Sequence, residues 1–121
     1  MPVILVVEDH VDTLDLISEM LRRMDYEVRE AGTAADALDS VRRAAPDAIL
    51  LDIKLPDASG TTVLDELRKL RPTVPIIMLT ANTDVIVARN TLKRGAFDYI
   101  TKPFDAIRLR SVVEAALFPR D

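Results

Sequence analysis

Short apolar runs recur along this chain, and four of them end directly in polar side chains. The runs are residues 4–7, 48–51, 76–79 and 99–101, and the residues that follow or close them are Glu8 with Asp9, Asp52, Thr80 and Lys102. Runs this short, bounded by polar and turn residues, predict buried parallel strands. Sites of open α/β sheets lie at the carboxyl ends of the strands, so we expect these polar groups to meet at one edge.

Helical patterns separate the apolar runs, so strand and helix alternate five times. The predicted helices cover residues 10–24, 33–44, 61–70, 83–94 and 104–118. The remaining strand covers 27–31, and the strand that contains the run 99–101 begins at residue 98. Thr33 is the expected N-cap of the second helix, and Gly95 the expected left-handed C-cap of the fourth. This alternation predicts an α/β fold with a single doubly wound five-stranded parallel sheet, flavodoxin-like (βα)5, strand order 2-1-3-4-5, in one domain over residues 1–121.

Composition excludes several classes of function. The formal net charge is -4, and the sequence contains no basic cluster, so direct nucleic-acid binding is not expected. No apolar stretch approaches the roughly 18 residues of a membrane span. The chain has no cysteine, which excludes disulfides and thiolate-bound zinc and fits a cytoplasmic location. The single histidine, His10, cannot build a histidine metal cage, and we expect it to be an exposed residue of the first helical turn.

Three carboxylates are predicted at the same sheet edge, those of Glu8, Asp9 and Asp52. Carboxylates this close repel one another and stay ionised only beside a positive charge. Oxygen ligands favour magnesium, or manganese, over softer metals. Because magnesium usually takes one or two carboxylates and then phosphate oxygens, the set predicts a metal site completed by a phosphoryl group.

The neighbouring polar groups suit phosphoryl transfer to a carboxylate. Asp52 is the candidate nucleophile, because an aspartate can form an acyl phosphate when nearby charge is neutralised. Lys102 would supply a point charge for the phosphoryl oxygens, and Thr80 a hydroxyl donor. Each residue alone would be read as a helix cap, a turn residue or a surface charge. Their joint placement at four strand ends favours a site.

The chain resembles the receiver domain of bacterial two-component response regulators over residues 3–118. The resemblance rests on Val-Glu-Asp at 7–9, Leu-Asp-Ile-Lys-Leu-Pro at 51–56 with Gly60, Leu-Thr-Ala at 79–81, and the run 95–104 that includes Lys102-Pro103. It implies that a histidine kinase or a histidine phosphotransfer protein donates a phosphoryl group to Asp52. It also implies a cis bond before Pro103, and positive φ angles at Gly60 and Gly95.

The resemblance also assigns roles to the site residues. Asp9 and Asp52, with the main-chain carbonyl of Lys54, match magnesium ligands, and Glu8 matches the acid that acts through metal-bound water. Lys102 matches the lysine that pairs with the phosphate. Thr80 matches the switch hydroxyl, and Tyr99 matches the aromatic side chain that turns inward when that hydroxyl moves toward the phosphoryl group.

Four positions are less usual for such a domain: Ser59, Thr91, Lys54 and Asn82. The last two flank the attacking water in the family, so the resemblance leaves the rate of dephosphorylation open. None of these departures touches the catalytic set, and Lys54 is assigned to the metal through its main-chain carbonyl, which does not depend on the side chain. The sequence therefore predicts an active receiver.

The fourth helix, fifth strand and fifth helix are expected to report the phosphorylated state. Val87 and Thr91 are predicted on the outer side of the fourth helix, and Ile107 and Phe118 off the inward stripe of the fifth. Exposed apolar groups there would suit a homodimer partner or an effector. Ordinary scattered surface residues are the alternative explanation.

Three other classes of function are alternatives for such a set of residues. A haloacid-dehalogenase-type phosphatase also forms an aspartyl phosphate but needs a second acid two residues later, where this chain has Lys54. A flavin- or nucleotide-binding module would need a glycine-rich loop after the first strand, where residues 9–11 are Asp-His-Val. A structural pseudo-receiver would not need the acids. We therefore expect a phosphoaccepting signalling domain whose own chemistry is limited to phosphotransfer and autodephosphorylation, rather than an enzyme.

Overall fold

The computed structural model describes residues 1–119, without the side chain of Asn82. Five strands alternate with five α-helices. In chain order they are β1 Val3–Val7, α1 Val11–Arg23, β2 Glu27–Ala31, α2 Ala34–Arg43, β3 Ala48–Asp52, α3 Gly60–Leu70, β4 Ile76–Ala81, α4 Val85–Lys93, β5 Asp98–Lys102 and α5 Ala106–Leu117. A short 3-10 turn, Asn82–Asp84, precedes α4.

All five strands pair in parallel, in the order β2-β1-β3-β4-β5, as predicted. The order reverses direction between β1 and β3, which are hydrogen-bonded neighbours. Val7, the last residue of β1, is in register with Leu51 of β3. The residues that follow Val7 therefore lie beside the end of β3, at the topological switch point where α/β sheets bind ligands.

The sheet separates two hydrophobic cores. Alternate residues of a strand point to opposite faces, so both faces of the inner strands are buried. The first core, here called the α2–α4 core, combines Leu5, Val7, Ile49, Leu51, Ile76 and Met78 with residues of α2, α3 and α4. The second, the α1–α5 core, combines Ile4, Val6, Ala48, Leu50, Ile77, Leu79 and Ile100 with residues of α1 and α5.

The predicted helix caps at Thr33 and Gly95 are confirmed. The hydroxyl of Thr33 accepts a hydrogen bond from the main-chain N–H of Asp36 at 3.1 Å. Gly95 has φ 101°, in the left-handed region that glycine adopts without strain.

The expectation of positive φ at Gly60 is wrong, because Gly60 is the first residue of α3 and its φ is not positive. A Cβ atom there would lie 2.6 Å from the carbonyl oxygen of Asp52 and from Cα of Ile53. Glycine is needed at this position for space. The cap of α3 is Ser59, whose hydroxyl accepts from the N–H of Thr61 at 3.2 Å.

The fourth helix differs from the prediction in its start and in one face. Residues 83 and 84 belong to the 3-10 turn, so α4 begins at Val85. The prediction that Thr91 lies on the outer side is wrong, because this residue is 0% exposed. Its hydroxyl donates to the carbonyl oxygen of Ala88 at 2.5 Å. Threonine can satisfy its hydroxyl on the preceding helical turn, which lets a polar residue face the core.

Apolar positions near the helix ends also deviate from the predicted inward stripes. Val11 and Leu70 are exposed, each at an end of its helix. Helix α5 starts at Ala106 rather than 104, after a cis bond between Lys102 and Pro103. None of the helices in residues 1–119 is both long and apolar enough to cross a membrane.

Candidate functional site

The carboxyl ends of β1, β3 and β5 surround a cavity of about 270 Å³. It is lined by Glu8, Asp9, His10, Asp52, Ile53, Lys54, Ala81, Asp84 and Lys102. Each predicted metal ligand and the predicted phosphate-pairing lysine are therefore in one place. Parallel strands explain this convergence, because all of their carboxyl ends lie along the same edge.

The three predicted carboxylates form one cluster. Glu8, Asp9 and Asp52 each offer an oxygen, and these oxygens lie within 4.8 Å of one another. Glu8 is 1% exposed and Asp52 is 8% exposed, whereas Asp9 faces solvent. A cluster of hard oxygen donors, with one member open to water, fits a divalent cation that keeps part of its hydration shell.

Lys102 is the cationic partner of the two buried acids. Its Nζ lies 2.5 Å from Oε1 of Glu8 and 2.9 Å from Oδ2 of Asp52. Such charge-assisted hydrogen bonds are stronger than neutral ones. The sequence predicted that these carboxylates need a positive charge, and the lysine of β5 provides one.

The ionisation of Glu8 and Lys102 reflects this pairing. Burial raises the pKa of Glu8, and the neighbouring Asp52 raises it further, while Lys102 acts in the opposite direction. For Lys102, burial lowers the pKa, but hydrogen bonds and charge from Glu8 and Asp52 outweigh it, and the net pKa is raised. The lysine is therefore a cation at neutral pH, held where the acids repel one another.

The carboxylate of Asp52 is held from two directions. Its Oδ1 accepts the main-chain N–H of Lys54 at 3.0 Å, and its Oδ2 accepts from Lys102. The loop after β3 is closed at its base, where the N–H of Gly60 donates to the carbonyl of Ile53 at 2.6 Å. Lys54 and Ser59 also form an antiparallel bridge. These bonds fix the orientation of Asp52 relative to the cavity.

Thr80 and Tyr99 lie on the other side of the sheet from the two buried acids and Lys102. Thr80 continues the alternation of Ile76 and Met78, which face the α2–α4 core, and Tyr99 packs against that core. Glu8, Asp52 and Lys102 instead continue the alternation of strand residues that face the α1–α5 core. Thr80 is buried, and its hydroxyl donates to the carbonyl of Ala81 at 3.1 Å.

Two acidic residues near the site were not singled out from the sequence. Asp84 lines the cavity and lies 3.4 Å from Nζ of Lys54, so the loops after β3 and β4 are joined by an ion pair. Asp57 accepts hydrogen bonds from the first turn of α2. Both contacts join loops that are distant in sequence, and no local spacing indicates them.

His10 is exposed, as expected, and its main-chain N–H donates to Oε2 of Glu8 at 3.4 Å.

Comparison with curated proteins identifies regulators that contain a similar segment. The chain is 38% identical over 111 residues to regulatory protein LuxO of Vibrio cholerae, covering 92% of this chain and 24% of that protein. It is 39% identical over 114 residues to transcriptional regulatory protein ZraR of Salmonella typhimurium, covering 94% of this chain and 26% of that protein. The chain thus spans about a quarter of the length of these relatives.

Solved structures show the same fold over nearly the whole chain. The receiver domain of NtrX from Brucella abortus matches with a TM-score of 0.93 and 39% identity, covering 97% of this chain and 99% of that chain. A CheY-like response regulator receiver domain protein from Methanospirillum hungatei matches with a TM-score of 0.91 and 34% identity, covering 97% and 94%. The family model described as the response regulator receiver domain matches residues 4–114. This chain therefore belongs to the response regulator receiver domain family.

Proposed function

We propose that this chain, as a receiver domain over residues 1–121, accepts a phosphoryl group on Asp52 from a histidine kinase or a histidine phosphotransfer protein. The observation that carries the proposal is the arrangement around Asp52. Its carboxylate is fixed by the Lys54 N–H and the Lys102 ammonium, and it faces a cavity lined by three further acids. A kinase of this type works on the cytoplasmic side, so the proposal places the domain in the cytoplasm.

In the proposed transfer, a carboxylate oxygen of Asp52 attacks the phosphorus of a phosphohistidine. The new O–P bond forms as the P–N bond breaks, and the imidazole leaves with the bonding electron pair and takes up a proton. Lys102 offsets the negative charge on the transferring group, because its ammonium already lies 2.9 Å from the attacking carboxylate. The work of the protein in this step is to position the carboxylate and stabilise charge.

The donor set fits magnesium, or manganese in its place. Asp9, Asp52 and the main-chain carbonyl of Lys54 would hold the ion, with Glu8 acting through metal-bound water. The fit rests on the clustered oxygens of Glu8, Asp9 and Asp52 and on the exposure of Asp9 to solvent. When bound, the ion supplies positive charge that neutralises the phosphoryl oxygens.

Thr80 and Tyr99 are proposed to convert phosphorylation into a change of shape. The Thr80 hydroxyl, which donates to Ala81 in this structure, would turn to a phosphoryl oxygen, and the half-buried Tyr99 would fill the space it leaves. Phosphate would bias an equilibrium between two such states by contacts made in one of them. Exposed apolar side chains on α4 and α5, including Ile86 and Ile107, suit a homodimer or an effector as the reader of the change.

Intact-mass measurement tests this function. The protein is incubated with magnesium and acetyl phosphate, and we expect it to gain one phosphoryl group, with no gain in EDTA. Asp52→Asn should abolish the uptake. Asp39→Asn, which removes an exposed carboxylate of α2, is the matched control and should leave the uptake unchanged. Undiminished phosphorylation of Asp52→Asn would remove Asp52 from the proposed role.

The same experiment separates the competing functions. A structural pseudo-receiver would take up no phosphate under any of these conditions. A phosphatase of the haloacid dehalogenase type would release phosphate continuously from the donor. Lys54 occupies the place of the general acid in that class, and its ammonium pairs with Asp84. That position therefore lacks the carboxyl group that such a phosphatase uses as its general acid and base.

A further inference from the structure

Asp57 joins the loop that follows Asp52 to the beginning of α2. Its Oδ1 accepts the main-chain N–H of Ala34 at 2.8 Å, and its Oδ2 accepts the N–H of Ala35 at 3.1 Å. Both carboxylate oxygens are used, and Asp57 lies more than 20 positions in sequence from each of the two alanines. Two donors on one carboxylate fix its orientation as well as its position.

This contact is distinct from ordinary capping of α2. The cap hydroxyl of α2 belongs to Thr33, which accepts from the N–H of Asp36. Asp57 takes the two donors that precede Asp36, and it reaches them from another loop. The contact therefore restrains the loop between β3 and α3 in addition to completing the helix end.

The loop held by Asp57 contributes Lys54 to the candidate site. Lys54 lines the cavity, and its N–H orients Asp52. The base of the loop is closed by the bridge between Lys54 and Ser59. Asp57 lies within the closed segment, on its exposed side, and ties it to α2. The segment before α2, to which Asp57 binds, is also connected to the acids. The carbonyl of Ala31, the last residue of β2, accepts the N–H of Glu8 at 3.0 Å.

We propose that Asp57 is a positioning residue, which holds the Lys54 main chain in place for the divalent cation of this site. The inference rests on the proposed function, because it takes the Lys54 carbonyl as a metal ligand. Asp57 itself touches neither the metal nor the phosphoryl group. Loss of the tether leaves the carboxylate cluster intact but frees the segment that supplies the main-chain ligand.

The charge state of Asp57 suits this role. The N–H groups of Ala34 and Ala35 lower the pKa of its carboxyl below the ordinary value of 3.8. Asp57 is therefore ionised at physiological pH and accepts both hydrogen bonds. Its charge also lies at the amino end of α2, where the helix dipole favours an anion.

Metal titration of matched variants tests the inference without a phosphodonor. Magnesium is added to the wild type, Asp57→Ala and Asp57→Asn, and the dissociation constant is measured from backbone amide shifts in NMR spectra. Asp57→Ala should weaken magnesium binding by about threefold to tenfold, at or below the lower end of losses from groups that orient metal ligands. Asp57→Asn keeps one acceptor oxygen, so its loss should be smaller.

Two control variants separate tethering from helix capping. Thr33→Ala removes the hydroxyl cap of α2, and Asp36→Asn removes an acid from its first turn. Both should lower the melting temperature or leave it unchanged, while magnesium affinity stays within about twofold of the wild type.

A phosphorylation assay gives a second measurement. Asp57→Ala should need a higher magnesium concentration for its half-maximal rate and should recover most of the wild-type rate at saturating magnesium.

The inference is overturned if both Asp57 variants bind magnesium as tightly as Thr33→Ala does. If Asp57→Ala fails to fold, the comparison of Asp57→Asn with Asp36→Asn decides the question in the same way. Failure of the proposed function has a different signature. In that case the wild type binds magnesium, and the affinity falls from wild type to Asp57→Asn to Asp57→Ala as predicted, but the wild type gains no phosphoryl group on Asp52.

Discussion

The ammonium of Lys102 lies 2.9 Å from the carboxylate of Asp52, although the two residues are 50 positions apart in the sequence. The same ammonium contacts the buried Glu8 at 2.5 Å. One lysine thus holds two acids together, and it does so where the phosphoryl group is proposed to bind. Its charge stabilises the acids before transfer and the phosphoryl oxygens during transfer.

Replacement of this lysine should slow phosphorylation strongly. Lys102→Met keeps the aliphatic chain and removes the charge, so we expect the rate of uptake from acetyl phosphate to fall by about a hundredfold. The time course is measured by intact mass at saturating magnesium. Lys69→Met, in the last turn of α3 and exposed, is the control and should react at the wild-type rate. A Lys102→Met rate within a fewfold of wild type would show that this charge is not used in the transfer.

Removal of the Glu8 charge should stabilise the metal-free protein at neutral pH. The folded-state pKa of Glu8 is raised above its ordinary value of 4.5, chiefly by burial. A raised pKa means that the folded state binds the proton more tightly, so stability falls as pH rises from the unfolded pKa through the folded one. Glu8→Gln has no carboxyl group to ionise at this position, so it does not lose this part of its stability as pH rises. Its melting temperature in EDTA should match that of the wild type at pH ~4 and exceed it increasingly toward pH ~7.

Glu66→Gln provides the comparison for this pH series, because Glu66 is exposed on α3. Its melting temperature should follow the wild type at every pH. With magnesium present, the wild type should melt at a higher temperature than Glu8→Gln. The ion binds the acid cluster of the wild type and stabilises the folded state by mass action. A Glu8→Gln protein that is less stable than the wild type at neutral pH in EDTA would contradict the prediction.

Gly60 should not tolerate a methyl group. A Cβ atom would lie 2.6 Å from Cα of Ile53 and 2.8 Å from its carbonyl oxygen, and main-chain atoms cannot rotate away. We expect Gly60→Ala to lower the free energy of unfolding by about 1–3 kcal/mol, the range for overpacking. Urea denaturation measures it. Gly32→Ala is the matched control, because the nearest atom to its Cβ lies at 3.9 Å, and the two variants should differ clearly.

The buried face of α4 can be tested with one charge placed at two positions. Thr91 is 0% exposed, so Thr91→Glu would bury an unpaired carboxylate and should cost about 3 kcal/mol or more in the free energy of unfolding. Val87 is 38% exposed, and Val87→Glu should cost under about 1 kcal/mol, as surface substitutions usually do. Equal losses, measured by chemical denaturation, would show that Thr91 is not the more deeply packed position.

The fold was predictable because its strands obey a simple pattern. Short apolar runs bounded by polar residues and prolines locate β1, β3 and β4, and alternation with helices selects a parallel sheet. The details of α4 were not predictable in the same way. Thr91 has a polar side chain, so the sequence favours an exposed position. Its hydroxyl donates to the carbonyl of Ala88 within the helix, and the residue can therefore be buried. At Gly60 the sequence led to the expectation of a positive φ, whereas the structure shows that close packing against the main chain is what favours glycine there.

Within the candidate site, the sequence indicated the groups at strand ends and missed those that act across loops. Glu8, Asp52 and Lys102 follow from strand position alone, because parallel strands end at a common edge. Asp57 and Asp84 depend on how two loops approach another part of the chain. Acidic residues in loops are common, and nothing in their spacing identifies the partner.

Because alternate strand positions face opposite sides of the sheet, the residues of the candidate site and the predicted switch residues lie on different sides. The two buried acids, Glu8 and Asp52, and Lys102 continue the strand positions that face α1 and α5. Thr80 and Tyr99 belong to the side of α2, α3 and α4. Under the proposed function, a signal that starts at Asp52 must therefore cross from one side of the sheet to the other before it reaches Thr80 and Tyr99.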